Sequence, residues 1–180
     1  MSAPNASAAA PVLAPAPHHA TPDDLFRRLE SLGIATTTAD HPPLYTVEDS
    51  RRLRGDLPGG HCKNLFLKDR KDRLWLVVTL EDRPIDMKTL SDKIGSARLS
   101  FGRTELLVEV LGITPGAVTP FALINDTENR VSVVLDREML TFDPLNYHPL
   151  TNARTTQIKP ADLVRFIESC GHRPAIVDLA

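Results

Sequence analysis

The chain has 180 residues, 42% of them hydrophobic and 24% charged, with a formal net charge of −2. That profile suits one soluble globular domain, able to bury roughly 70% of its unfolded surface, and it excludes a general nucleic-acid coat protein. No apolar run approaches the roughly 20 residues of a membrane helix, and Cys62 and Cys170 lie in no CxxC or metal spacing, which fits free thiols in a reducing cytosol.

Residues 1–21 read as a disordered Ala/Pro-rich tail, and residues 22–180 as a single domain. The first 22 residues hold eight Ala, five Pro and no charged side chain, without the basic start or unbroken apolar stretch of a signal peptide. "TPDDLFRRLESLG" predicts a helix, with Thr21 as N-cap, Pro22 in the first turn, Gly33 as its stop, and Leu25, Leu29 and Leu32 on one face. "TTTADHPP" reads as extended, and "TVEDSRRLRG" as a short helix capped by Thr46 and ending near Gly55. From Arg51 to Arg73 eight Lys/Arg stand against three Asp. That local excess suits contact with a nucleic-acid backbone, although "KDRKDR" by itself reads as a solvated hairpin turn.

"LPGGHCKNLFLKDRKDRLWLVVTL" predicts a hairpin with strands near 63–68 and 74–80. Helices follow in "PIDMKTLSDKIG", closing at Gly95, and in "RTELLVEVLG", with Leu106, Leu107, Val110 and Leu111 inward. Strands are expected near 121–124 and 131–135. "KPADLVRFIESCG" predicts a last helix with Leu163, Phe166 and Ile167 on its apolar face, and "AIVDL" a final strand. Helices and hairpins in irregular alternation imply an α+β fold, a mixed sheet with helices around it.

The chain lacks the phosphate loops GxxxxGK[ST] and GxGxxG, the GxSxG elbow and HExxH. His41, His61, His148 and His172 have no local spacing of a metal site, so neither metal nor cofactor is expected. Three segments stand out instead. Lys63 follows a double glycine at the mouth of an apolar strand. "GAVTP", Gly116 to Pro120, is a proline-stiffened loop of the kind that presents rigid backbone donors to an oxyanion. His148 sits in "DPLNYHPLTN", a polar loop, where an imidazole exchanges hydrogen bonds with a hydroxyl or amine near neutral pH.

Together "HCKNLFLKD", "LGITPGAVTPFALIND" and "LNYHPLTN" resemble the editing-domain family associated with prolyl-tRNA synthetase, the YbaK/ProX-like deacylases, over about residues 22–175. The likeness is greatest to the free-standing branch that clears alanine from proline tRNA. It implies a mixed sheet partly closed into a barrel and hydrolysis of the aminoacyl ester of mischarged tRNA(Pro), most of all Ala-tRNA(Pro). The family's lysine falls on Lys63, its Gly-X-X-X-Pro loop on Gly116, Ala117, Val118, Thr119 and Pro120, and its histidine on His148. On this resemblance Lys63, Gly116 and His148 are catalytic, and the loop residues with Asn64 and Asn146 contact substrate. From the basic stretch, Arg51, Arg52 and Arg54 are expected to contact tRNA. The partners implied are the acceptor end of aminoacylated tRNA(Pro) and prolyl-tRNA synthetase, for a cytoplasmic monomer. The alternatives are a Cys-tRNA(Pro) or other aminoacyl-tRNA deacylase, a tRNA-end-binding module without turnover, and a thiol hydrolase using Cys62.

Overall fold

The computed structural model describes residues 19–43, 46, 48, 49, 51 and 57–180. The tail up to residue 18, most of the expected short helix after Thr46, and Arg52 and Arg54 lie outside them. Helix α1 (Pro22–Ser31) forms as expected: Thr21 Oγ1 accepts from the Asp24 amide, and the Asp24 carboxylate accepts from the Thr21 amide. Strand β1 (Thr37–Asp40) follows, then the long β2 (Gly60–Asp69) and β3 (Leu74–Leu80). Between these two strands the Asp69 carboxylate accepts from the Lys71 and Arg73 amides and from Trp75 Nε1. The hairpin is thus tied from inside while its basic side chains point to solvent, Lys68 pairing with Asp72 and Arg73 lying over Trp75.

Helix α2 (Met87–Ile94) stops at Gly95, strand β4 (Leu99–Phe101) intervenes, and α3 (Thr104–Leu111) stops at Gly112. Strands β5 (Val131–Asp136), β6 (Leu145–Tyr147) and β7 (Arg154–Ile158), helix α4 (Pro160–Ser169) and strand β8 (Ala175–Val177) complete the chain. The sheet runs β1-β7-β6-β2-β3-β5-β8, with β4 on β2. Pairings of β2–β6, β3–β5 and β5–β8 are parallel and the rest antiparallel, which makes the fold the mixed α+β class expected. No helix among the described residues is long and apolar enough to cross a membrane.

The sheet is buried on both sides. Leu74, Leu76 and Val78 of β3 join Val131, Val133 and Leu135 of β5, the α1 leucines and α4 in one core, whereas Trp75 and Val77 join Leu67, Val134 and Leu90 in a second. This is why "LWLVVTL" is a continuous apolar run rather than an alternation.

Two expectations need correction. Residues 121–124 are not a strand: Pro115–Ala117 and Pro120–Asn125 are 3₁₀ turns, each with a proline in its first turn. Their amides bond backward, Ala117 N to Thr114 O and Ala122 N to Thr119 O, which a ladder partner would have to displace. The segment around His148 is also more regular than a loop, since β6 occupies its start. Strands β4, β6 and β7 are short, and their sequences lack the apolar alternation that marks a strand.

At one end of the second core lies a buried polar group. Asp136, wholly buried, accepts from Thr79 Oγ1 (2.6 Å) and Arg83 Nε (2.7 Å). Removing the carboxylate takes from a guanidinium only 11% exposed the more buried of its two partners, leaving Glu138, and leaves Thr79 Oγ1 without its acceptor. Asp136→Ala should therefore cost about 3–5 kcal/mol in urea unfolding, and Asp136→Asn, which keeps the acceptor oxygen, distinctly less.

Candidate active site

The site is framed where β2 begins. Gly60 N donates to Pro144 O (2.8 Å), and β2 pairs in parallel with β6 through Gly60 with Leu145 and His61 with Asn146. Approach this close requires the double glycine. A Cβ on Gly59, whose φ is +95°, would lie 2.0 Å from Pro144 O, and one on Gly60 would lie 2.9 Å from Phe142 Cβ. Asn146 locks the junction: its Nδ2 donates to Pro58 O and Gly60 O (both 3.0 Å), while its Oδ1 accepts from Gln157 Nε2 (3.2 Å). The Asn146 amide thus holds the frame, and the residue also lines the cavity described below.

Between these strands lies a cavity of about 40 Å³, far smaller than the open grooves of 400–530 Å³ elsewhere on the surface. Cys62, Asn64, Glu81, Tyr147, His148 and Thr155 help to line it. The imidazole of His148 is half-buried, with Nδ1 2.9 Å from Arg154 O. A carbonyl only accepts, so Nδ1 carries the proton and Nε2 is left with its lone pair. Burial lowers the His148 pKa below the usual histidine value, against the opposing pull of that carbonyl, and the His41 ring 6.2 Å away lowers it further. His148 is therefore neutral at pH 7. Asn64 Oδ1 is buried in the same region and has no hydrogen-bond partner among the described residues. The Glu81 side chain is 6% exposed, with Oε2 3.7 Å from Arg51 Nε.

Cys62 does not have the properties of a nucleophile. Burial pushes its thiol up to about 12, and its Sγ lies 3.6 Å from the hydroxyl of Tyr147, itself kept protonated by burial.

Not all the expected site residues converge on this cavity. Lys63 pairs across the strand with Thr79, whose side chain belongs to the Asp136 cluster, so it faces the opposite side of β2 from Asn64. Its Nζ donates to Arg83 O. Burial lowers the Lys63 pKa, and the Asp82 and Glu81 carboxylates oppose that shift. Gly116 to Pro120 do not line the cavity either. Ala117, Thr119 and Pro120 are buried, the first two packing or capping the 3₁₀ turns, while Gly116 and Val118 are half-buried. Arg51 is held by Glu81 and Asp82. Conversely Glu81 and Thr155 reach the cavity from segments that carried no motif, and Tyr147 from within "LNYHPLTN" without having been singled out. His41 stands behind them, with Nε2 2.8 Å from Thr155 Oγ1.

With this geometry in place, known proteins offer a comparison. The family model for the aminoacyl-tRNA editing domain matches residues 41–166. The chain belongs to that family. This editing domain is 43% identical over 162 residues to "prolyl-tRNA synthetase associated domain-containing protein 1" of Danio rerio, covering 87% of this chain and 88% of the relative. It is 37% identical over 156 residues to "prolyl-tRNA editing protein ProX" of Acetoanaerobium sticklandii, covering 86% and 95%. A solved structure described as a candidate trans-editing enzyme for prolyl-tRNA synthetase shares the fold, with a TM-score of 0.64 and 18% identity over 87% of this chain and 98% of that one.

Two outcomes follow from the titration states. Native Cys62 should resist iodoacetamide at pH 8, since only about one part in 10⁴ of a thiol with a pKa near 12 is thiolate there. Alkylation as fast as that of a free cysteine would contradict its burial. In an NMR titration His148 should protonate below pH 6.5. Its folded-state pKa is depressed, so its contribution to stability is complete above pH 6.5 and is lost as pH falls through the lowered value.

Proposed function

We propose that this editing domain hydrolyses the ester of mischarged tRNA(Pro) and releases a small amino acid, alanine before others. The observation that carries the reading is the small, acceptor-lined cavity between β2 and β6. At roughly 40 Å³, against 400 Å³ or more for the grooves elsewhere on the surface, it favours a small side chain. Beyond the ester carbon an alanyl group has three heavy atoms, Cα, Cβ and N, whereas a prolyl ring has five. A synthetase pocket built for proline gains only about 1–3 kcal/mol against a ligand lacking methylenes, so a second and smaller sieve is needed to destroy the product.

With Cys62 held as a thiol, water is the nucleophile. The ribose 2′-hydroxyl beside the ester activates it, and no protein base is required. The ester carbon lies at the mouth of the cavity. The resemblance assigns its oxyanion to backbone amides of the Gly116 loop, which does not itself line the cavity; of that loop, Ala117 N is committed to Thr114 O and Pro120 has no N–H. Lys63, on the other face of β2, holds a phosphate of the terminal nucleotides. The partner is the acceptor end of tRNA(Pro), presented in the cytosol beside prolyl-tRNA synthetase.

The test is release of labelled amino acid from Ala-, Cys- and Pro-tRNA(Pro) by wild type, Lys63→Ala and His148→Ala. Alanine should be released at least on the order of 100-fold faster than proline, and each variant should lose on the order of 10–100-fold in kcat/KM. Faster release of cysteine would move the substrate within the same chemistry. No release from any of the three would overturn the hydrolase reading in favour of a module that binds the tRNA end.

A further inference from the structure

The buried cluster at the end of β3 extends to Lys63. Lys63 on β2 and Thr79 on β3 are register partners, and Thr79 Oγ1 donates to Asp136 at the end of β5 (2.6 Å). The three side chains form a row across one face of the sheet, with an ammonium at one end and a wholly buried carboxylate at the other. Two strand spacings, about 10 Å, separate the backbones of that pair. A flexible lysine stem spans much of the gap, and an uncompensated buried carboxylate would attract its charge strongly. Arg83 occupies the carboxylate first. Its Nε donates to Asp136 Oδ2 (2.7 Å) and its Nη2 to Glu138, with the planar fork that a lysine lacks. Asp136 is fixed in turn, its Oδ1 accepting from the Glu138 amide (3.1 Å).

The same arginine meets Lys63 with its backbone. Arg83 N donates to Leu80 O (3.1 Å), which closes the turn after β3, and Arg83 O accepts from Lys63 Nζ. With its guanidinium clamped and its amide bonded, the residue holds that carbonyl in one direction. An ammonium has three donors, so a single carbonyl aims it without exhausting it. We propose that Arg83 is a positioning residue for Lys63, its side chain keeping Asp136 from capturing the ammonium and its carbonyl fixing where the ammonium points. The proposal rests on the reading of Lys63 as the group that holds a phosphate of the terminal nucleotides. A lysine drawn onto Asp136 would be neutralised and turned inward, out of reach of an anion. Arg83 therefore serves the site without touching substrate. The buried Arg83–Asp136 pair gains a purpose other than stability, which such pairs supply poorly.

The test is a double-mutant cycle on release of alanine from Ala-tRNA(Pro), with a second readout that needs no substrate. Arg83→Met keeps the stem and removes the fork. It should lower kcat/KM about tenfold in the wild-type background and less than about twofold in Lys63→Ala, where no ammonium is left to aim. Arg83→Lys, which keeps a cation on Asp136, should recover most of the loss. An arginine with a merely structural role would cost the same factor in both backgrounds. The second readout is the Lys63 pKa, followed by NMR at its side-chain Cε. Burial holds it below the ordinary lysine value, against the pull of the Asp82 and Glu81 carboxylates. Arg83→Met should move it upward, because an ammonium released to solvent or onto Asp136 is better stabilised as a cation. Equal losses in the two backgrounds, or an unmoved Lys63 pKa, would overturn the proposal. Arg83→Gln keeps a donor for Asp136 without the charge, and it is read in the same way should Arg83→Met fail to fold. If wild type releases no amino acid from any of the three aminoacyl-tRNAs, the hydrolase reading falls and the titration alone decides the positioning.

Discussion

Two residues without side chains set the distance on which the site depends. Because Gly59 and Gly60 let the chain run against Pro144 and Leu145, the start of β2 and the short β6 come together as parallel neighbours. Parallel strands cannot be joined by a tight turn, so the contact brings together segments more than 80 residues apart in sequence. Asn146 then spends every polar atom of its amide on holding the junction. Asn64, three residues beyond the β6 pairing on β2, and His148, one residue past the end of β6, are placed by this frame. Neither would face the other if the glycines carried a Cβ.

Much of the fold was legible because its signals are local. The capping box of α1, the glycines after α2 and α3, and the proline opening α4 each act within one helical turn of the boundary they mark. The two buried strands β3 and β5 show themselves as unbroken apolar runs for a reason equally local to each strand. The opening loop misled the reading at 121–124, since "FALI" is apolar enough for a strand. Its side chains are indeed buried. The prolines and the back-bonded amides decide the backbone, and they decide for 3₁₀ turns.

The site was legible in its residues and not in its geometry. His148 and Asn64 stand at one cavity as the motif segments suggested. Asn146 lines it too while holding the frame, and Lys63 faces away, for a reason that a one-residue step along a strand makes plain: neighbours on β2 point to opposite sides. Had the register of β2 against β3 been known, pairing Lys63 with Thr79 and Asn64 with Val78, that separation would have been predictable. Glu81 could not be found in this way. It follows a strand end in "LEDRP", a context shared by countless solvated glutamates, and only the tertiary closure of β2 on β6 makes it a lining residue.

The two faces of β2 differ in what they present. On one side Arg83 pairs with the buried Asp136 and with Glu138, and Lys63 Nζ donates to Arg83 O, so the cations there are held among carboxylates and a carbonyl. On the other, Asn64 and His148 bring acceptors to the cavity, with Glu81 beside them. The alternation of neighbours along the strand keeps the two sets apart. Among the described residues, β2 lacks a strand partner on one edge between His61, where its pairing with β6 ends, and Leu67, where its pairing with β4 begins. Lys63 and Asn64 fall in that stretch, one turned to each face, so a single residue of register decides which of them meets the cavity.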